Sequence, residues 1–412
     1  MNCRSTRSRS LFVPLSEALA VGLAPDGGLF VPEAFPKVAS LAGRSGVAEV
    51  AVGLLAPFFA GDVLEGALEA ICFEALDIEV PLVEVERDTW LMELFHGPSA
   101  AFKDFGARFL ASCLSRLQAG EDRPLTILVA TSGDTGGAVA AAFHGKPGVE
   151  VVVLYPRGRV SERQAHQLSC WGGNVRTLCV EGDFDDCQAL VKAAFVDPEC
   201  QARARLSSAN SINIGRLLPQ MAYHAASALQ RPGCASIVPT GNLGNAVAAV
   251  WARRCGMPVA DVVLATNAND TLPRFQSTGT FEPHATVATL ANAMDVSRPS
   301  NLERLLDLDG PRWDGVRAQS VDDDTVRAVL AEAPERYGRA VCPHTACGLF
   351  VRRSVGMPAI VAATAHPAKF DTVVEPLIGR TIPLPPALAE LMERPRFETV
   401  IPAELSALRD VL

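Results

Sequence analysis

His96-Gly97-Pro98-Ser99-Ala100-Ala101-Phe102-Lys103-Asp104 puts a lysine where a chain leaves a strand and enters a helix. The preceding Thr89-Trp90-Leu91-Met92-Glu93-Leu94-Phe95 reads as the strand and His96-Gly97-Pro98 as the turn. Ser99 reads as the N-cap of a helix running to Leu117, with Lys103 about one turn in. At 3.6 residues per turn, Asp104, Arg108, Ser112 and Ser115 form a polar face, and Phe102, Phe105 and Phe109 an apolar one. Lys103 shares its stripe with Gly106, Ala107, Leu110 and Leu114, so its neighbours are small or apolar. A helical lysine is ordinarily a snorkelling surface residue. Here desolvation and the positive end of the helix both lower its pKa, which suits an amine acting as a nucleophile or forming a Schiff base.

Two loops give that amine a context. Ala130-Thr131-Ser132-Gly133-Asp134-Thr135-Gly136-Gly137 joins a strand to an alanine-rich helix. Its glycines expose amide hydrogens at a helix N-terminus, and Thr131, Ser132 and Thr135 add hydroxyls. Val238-Pro239-Thr240-Gly241-Asn242-Leu243-Gly244-Asn245 repeats the design. Glycine-rich turns also close strand-to-helix corners without binding anything. Two of them beside a desolvated lysine suggest a phosphorylated cofactor and an anionic substrate in one site. Neither loop is G-x-G-x-x-G, and the strands that follow end in Tyr155-Pro156-Arg157 and Thr266-Asn267 without an acidic ribose ligand, which removes support for a dinucleotide. No Walker Gly-Lys-Ser/Thr is present. A third segment, Ala363-Thr364-Ala365-His366-Pro367-Ala368-Lys369-Phe370, leaves another strand. Thr364 stands at the strand's carboxyl end, His366 reads as a capping residue, and Lys369 as either an exposed helix residue or a contact to a substrate anion.

The wider chain frames these loops. Strand and helix alternate from about residue 81: Leu125–Thr131 then Gly136–Phe143, Val149–Tyr155 then Ser161–Trp171, Ile237–Thr240 then Asn245–Arg253, Ala359–Ala363 then Pro367–Ile378. That alternation predicts an α/β chain with doubly wound parallel sheets. Residues 1–80 predict a separate, mainly helical N-terminal domain, and 81–412 the catalytic domain. The stretch from Thr280 to Gly338 predicts surface connection plus a helix around Thr325–Ala333.

At 412 residues, with 49% hydrophobic and 20% charged residues, the chain has the composition of a globular enzyme. A net charge of -9 argues against nucleic-acid partners, so any anion must be held by local groups. No run of about eighteen apolar residues argues for a membrane span. Arg4, Arg7 and Arg9 without a following apolar run do not make a secretory signal, although a transit-type segment stays open. Eleven cysteines without any C-x-x-C pair predict reduced, mostly buried thiols, no zinc site and a cytoplasmic protein.

The chain resembles the threonine synthase family, pyridoxal-phosphate enzymes of the tryptophan-synthase-β-like fold. The resemblance runs from Ser5-Thr6-Arg7 and Gly22–Pro32 through Phe95–Pro98, Ala101–Gly106, Thr131–Gly136, Asn210–Asn213 and Asn292–Ser297 to Thr364–Phe370. It implies a two-lobed fold type II enzyme, a monomer or weak homodimer, that converts O-phospho-L-homoserine and water to L-threonine and phosphate. It further implies that Lys103 holds pyridoxal 5'-phosphate as a Schiff base and that Gly241, Asn242, Leu243, Gly244 and Asn245 cradle its phosphate. Asp134 would then lie by the ring or its phenolic oxygen and Thr364 at the ring nitrogen. Ser132, Gly133 and Thr135 would take the substrate carboxylate. Asn213 and Arg216 are further candidates at the substrate, with Arg216 either the clamp on the leaving phosphate or a solvated arginine. The chain departs from the family pattern at Leu243, where an aromatic is usual, at Cys342, where an acid often precedes Pro343-His344, and in the short stretch between Val296 and Pro343. A related phospholyase yielding a 2-oxo acid, or a non-catalytic binding protein on the same fold, stays open as an alternative.

Overall fold

The computed structural model describes all residues except 39, 40, 42, 132, 311 and 312. Strands β1 (Asn2–Ser5), β2 (Phe12–Pro14) and β3 (Phe30–Pro32) form an antiparallel sheet in the order β2-β1-β3. The sequence signalled a mainly helical region here, because strands of three or four residues are too short for an alternation to register. Helices Leu15–Val21, Val47–Phe59 and Leu68–Leu76 complete this region.

The remaining strands build two sheets. Strands β4 (Leu82–Glu86), β5 (Thr89–Glu93), β10 (Ala235–Pro239), β11 (Val262–Thr266), β12 (Val316–Ser320) and β13 (Ala359–Ala363) form one in the order β12-β11-β10-β13-β5-β4. All of its pairs are parallel except β4 with β5. Strands β6 (Leu125–Ala130), β7 (Val149–Pro156), β8 (Val175–Glu181), β9 (Arg205–Ser208) and β14 (Thr399–Pro402) form an all-parallel sheet in the order β14-β8-β7-β6-β9. The central strands β5, β6, β10, β11 and β13 are buried along their whole length, as apolar strands covered on both faces must be.

Strand order positions the site. In the six-stranded sheet the chain moves outward from β10 through β11 to β12, while β13 and β5 lie on the other side of β10. In the five-stranded sheet it moves from β6 through β7 to β8, with β9 on the opposite side. Each sheet thus has a switch point, between β10 and β13 and between β6 and β9, where connections part and leave a crevice at the carboxyl ends. The loops leaving those strands, 240–243, 364–366, 131–133 and 209–213, are those singled out for their residues.

The helix carrying Lys103 corrects an expectation. It spans Lys103–Leu117 with Phe102 at its N-cap, so Lys103 is its first residue and Ser99 is not the cap. The backbone before it is claimed by another partner: Ala101 bridges Ala365, Phe102 N–H donates to the Thr364 carbonyl at 2.8 Å, and His366 N–H donates to the Ala100 carbonyl at 3.0 Å. Ala100 adopts a positive φ of 52° within this turn. The expected polar face is also not solvent-facing. Asp104 and Ser112 are buried, Arg108 donates to the Glu74 and Ala75 carbonyls, and Ser112 donates to the Glu74 carboxylate.

In the 280–338 stretch the structure adds Leu302–Asp309 and β12, and the expected helix runs Asp323–Arg336. All eleven cysteines are buried and free. Among the described residues no helix is long and apolar enough to cross a membrane, and no group of three His, Cys, Asp or Glu side chains could hold a metal ion.

Candidate active site

Lys103 is half-buried at the head of its helix, and no hydrogen bond among the described residues holds it. Burial pushes its pKa down to about 8, with Asp134 resisting and Arg216 and Lys369 pushing the same way. The amine therefore sits among charged groups from three other segments.

Asp134 begins the helix Asp134–Phe143, buried, where burial alone would raise its pKa. Lys369 at 2.8 Å and the nearby Lys103 instead hold it well below the usual carboxylate range. Lys369 is 1% exposed and also donates to the Ser99 carbonyl at 2.7 Å. The exposed-residue reading of Lys369 is therefore overturned. The 3-10 turn Pro367–Phe370 after the His366 cap, where Nδ1 accepts from Ala368 N–H, swings the lysine inward.

The loop after β6 is braced by Thr131, whose hydroxyl donates to the Gly133 carbonyl and accepts from the N–H groups of Gly133 and Gly136. That hydroxyl is a staple for the turn rather than a ligand donor. Gly133 is required twice over: its φ is 141°, and a Cβ there would lie 2.6 Å from Gln164 Nε2. Thr135 remains half-exposed. Ser132 lies outside the described residues.

The loop after β10 is a cradle of unengaged donors. Leu243 takes a left-handed conformation (φ 65°) as the N-cap of Gly244–Arg254, and no protein acceptor among the described residues takes the N–H groups of Gly241 to Ala246. A Cβ on Gly241 would lie 2.7 Å from the Met294 Cα, so only glycine fits beneath the 292–294 turn. Asn242 is fixed by Ser211 Oγ at 2.6 Å and by the Asn301 amide on its carbonyl at 2.9 Å. Asn245 accepts from Tyr223 and pairs with His224 through Oδ1, leaving its buried Nδ2 without a partner. Thr364 is buried directly beyond β13.

Arg216 is buried and packed against Gly106; its Nη1 donates to the Ala209 carbonyl and its Nε has no partner. Burial lowers its pKa to about 10 while Asp104 and Tyr223 resist. Asn213 does not join it. That buried amide donates to the Leu19 and Ser208 carbonyls and accepts from Gly215 N–H, so its capacity goes to shaping the 208–215 loop and the expected substrate contact is withdrawn. His344 is not among the site residues expected from the sequence. It is buried, accepts from Ala293 N–H through Nε2, has an unpartnered Nδ1, and is held neutral by burial with a pKa of about 4 despite Asp134 nearby. The only signal for it was the Pro343-His344 pair that opens the helix Pro343–Arg352.

A cavity of about 540 Å³ lies beside this cluster, lined by Glu93, His96, Arg339, Ala365 and His366 among others, but Lys103 is not in its wall. Glu93 is already paired there with Arg339 and with His96 at 2.7 Å, so its carboxylate is committed, and the candidate reacting centre is the cleft holding Lys103.

The groups present fit pyridoxal phosphate. A lysine amine, a row of free backbone N–H groups at a helix N-terminus and unpartnered buried donors on Asn245 and Arg216 are what a phosphorylated aldehyde and an anionic substrate need. Comparison with known proteins agrees. Residues 77–363 match the family described as "Pyridoxal-phosphate dependent enzyme", residues 2–76 "Threonine synthase N terminus", and residues 345–412 "Threonine synthase, C-terminal". The chain is 41% identical over 416 residues to threonine synthase of Escherichia coli strain K12, covering 97% of this chain and 96% of that one. It superposes on the crystal structure of the Escherichia coli enzyme with a TM-score of 0.90 at 40% identity, covering 100% of this chain and 99% of that one. On the PLP-bound threonine synthase of Brucella melitensis the TM-score is 0.92 at 35% identity, with 100% and 98% covered. The chain thus belongs to the threonine synthase family of pyridoxal-phosphate-dependent enzymes.

Proposed function

We propose that this chain converts O-phospho-L-homoserine and water to L-threonine and phosphate, with Lys103 as the proton-transferring amine. The observation that carries the reading is the Lys103 amine, free of hydrogen bonds among the described residues and lowered by burial to a pKa of about 8 with Asp134, Arg216 and Lys369 around it, in a chain whose loop after β10 offers a row of free N–H groups. The N–H groups of Gly241 to Ala246 would hold the phosphate of pyridoxal phosphate, and Thr364 would face its ring nitrogen. When bound, the cofactor supplies the electron sink that stabilises negative charge at the substrate carbons. Because Thr364 is neutral, it does not force the ring nitrogen to stay protonated.

The net change removes protons from Cα and Cβ, expels phosphate from Cγ, and adds a proton at Cγ. Water's hydroxyl then joins Cβ, its remaining proton goes to the phosphate, and a proton returns to Cα. One base serving several of these steps must both accept and release protons near neutral pH, which a lysine at about 8 does and an ordinary lysine does not. The N–H groups of Asp134 and Thr135, which no acceptor among the described residues takes, would hold the substrate carboxylate. Arg216 would hold the leaving phosphate through its unpartnered Nε. Asp134 and Lys369, already neutralising each other, keep the surroundings of the amine close to neutral.

The test is to supply purified protein with O-phosphohomoserine and assay phosphate, threonine and 2-oxobutyrate separately. The expected result is one threonine per phosphate released. Phosphate accompanied by 2-oxobutyrate and no threonine would make the chain a phospholyase instead.

A further inference from the structure

We propose that the N-terminal sheet buttresses the cofactor's phosphate cradle, acting through helix Leu302–Asp309 with Arg304 and Asn301 as positioning residues; this rests on the cradle reading of residues 241–246. The path consists of bonds between named atoms. Asn301 Nδ2 donates to the Asn242 carbonyl at 2.9 Å and to the Ser211 carbonyl at 3.3 Å, and Asn242 Nδ2 donates to Ser211 Oγ at 2.6 Å. Ser300 N–H donates to Asn242 Oδ1, so both ends of that side chain are tied. The cradle loop is thereby fixed to the 211–212 turn and to the head of the helix.

Arg304 joins that knot to the N-terminal sheet. Its side chain is fully buried; Nε donates to the Phe30 carbonyl at 2.9 Å, Nη2 to the Ile212 carbonyl at 2.6 Å, and Nη1 to the Ser211 carbonyl and Asn301 Oδ1. No carboxylate among the described residues pairs with it. A buried cation without a counter-ion is costly, and an apolar side chain of its volume would serve packing alone better. What an apolar residue could not do is fix β3, the 211–212 turn and Asn301 in one geometry.

The outer face of the helix is strapped to the same sheet. Arg4 makes two bonds of 2.7 Å to Asp307, Arg7 bonds Glu303 at 3.0 and 3.2 Å, and Thr6 donates to Glu303. The strap runs from β1 through the helix to Asn301 and so to the cradle's backbone. Cutting it should loosen the phosphate while leaving Lys103 and its surroundings unchanged.

The experiment follows cofactor release from the holoenzyme by loss of its visible absorbance on dilution into a phosphatase that destroys free cofactor, together with kcat at saturating cofactor. Arg4→Asp and Asp307→Arg are each expected to speed release at least tenfold with kcat within about twofold, and the double exchange, which restores an ion pair, to return release to within threefold of wild type. Arg304→Met should also release at least tenfold faster; if it does not fold, the charge exchange still decides. Gly244→Asp provides the control, because a Cβ there has no neighbour nearer than 3.6 Å and a first-turn carboxylate suits a helix but repels a phosphate. Release at the wild-type rate from Gly244→Asp would mean the cradle is misassigned. Rapid release from Gly244→Asp with unchanged release from Arg4→Asp, or a double exchange no better than the single changes, would overturn the buttress alone.

Discussion

Two lysines share one buried neighbourhood, and their partners divide the work between them. Lys369 is held by Asp134 at 2.8 Å and by the Ser99 carbonyl at 2.7 Å, so its charge is committed. Lys103 has no such partner among the described residues, and burial lowers its pKa to about 8. A lysine whose pKa is lower in the folded than in the unfolded chain binds fewer protons when folded across the interval from about 8 to its ordinary value near 10.4. Stability therefore rises with pH through that window, and below it the folded protein bears the cost of a half-buried ammonium. In the cofactor-free protein, Lys103→Met is expected to raise Tm at pH 7 by about 2–4 °C, with the gain shrinking toward pH 10. Thermal unfolding across that range checks it, and a gain independent of pH would show that packing rather than charge is responsible.

At the scale of elements, the first turn of the Lys103 helix works only because its neighbour can approach closely. A Cβ on Gly106 would lie 2.6 Å from the Arg216 carbonyl oxygen and 2.9 Å from its Nε. Backbone cannot retreat cheaply, so Gly106→Ala is expected to cost about 1–3 kcal/mol in denaturant unfolding. The same change should raise KM for the phosphorylated substrate by displacing Arg216; an unchanged KM would detach Arg216 from the substrate. The sequence placed Gly106 on the lysine's stripe but could not say what approached it. Long apolar strands such as β7 and β10 and the glycine loops were legible because their signals are local. The start of the Lys103 helix was not, since residues 364–366 claim the Ala100–Phe102 backbone from more than 250 positions away. Strands β1 to β3 were too short to show a period, and Asn213 read as a ligand because its bonds to Leu19 and Ser208 have no sequence signature.

Across the whole molecule, a chain of net charge -9 must assemble its proposed anion site from local groups. It does so with positions contributed by both sheets: Lys103 after β5, the cradle after β10, Lys369 after β13, Asp134 after β6 and Arg216 after β9. Strand order gives each sheet a switch point, and the Lys369–Asp134 ion pair at 2.8 Å joins a loop of one sheet to a loop of the other. The N-terminal sheet is tied to the loop after β10 through Arg304 and Asn301. Everything in this arrangement turns on which amine carries the cofactor. Borohydride reduction of the holoenzyme followed by proteolysis and mass spectrometry decides it: the pyridoxyl group should be found on the peptide containing Lys103, and its recovery on the peptide containing Lys369 would contradict the account.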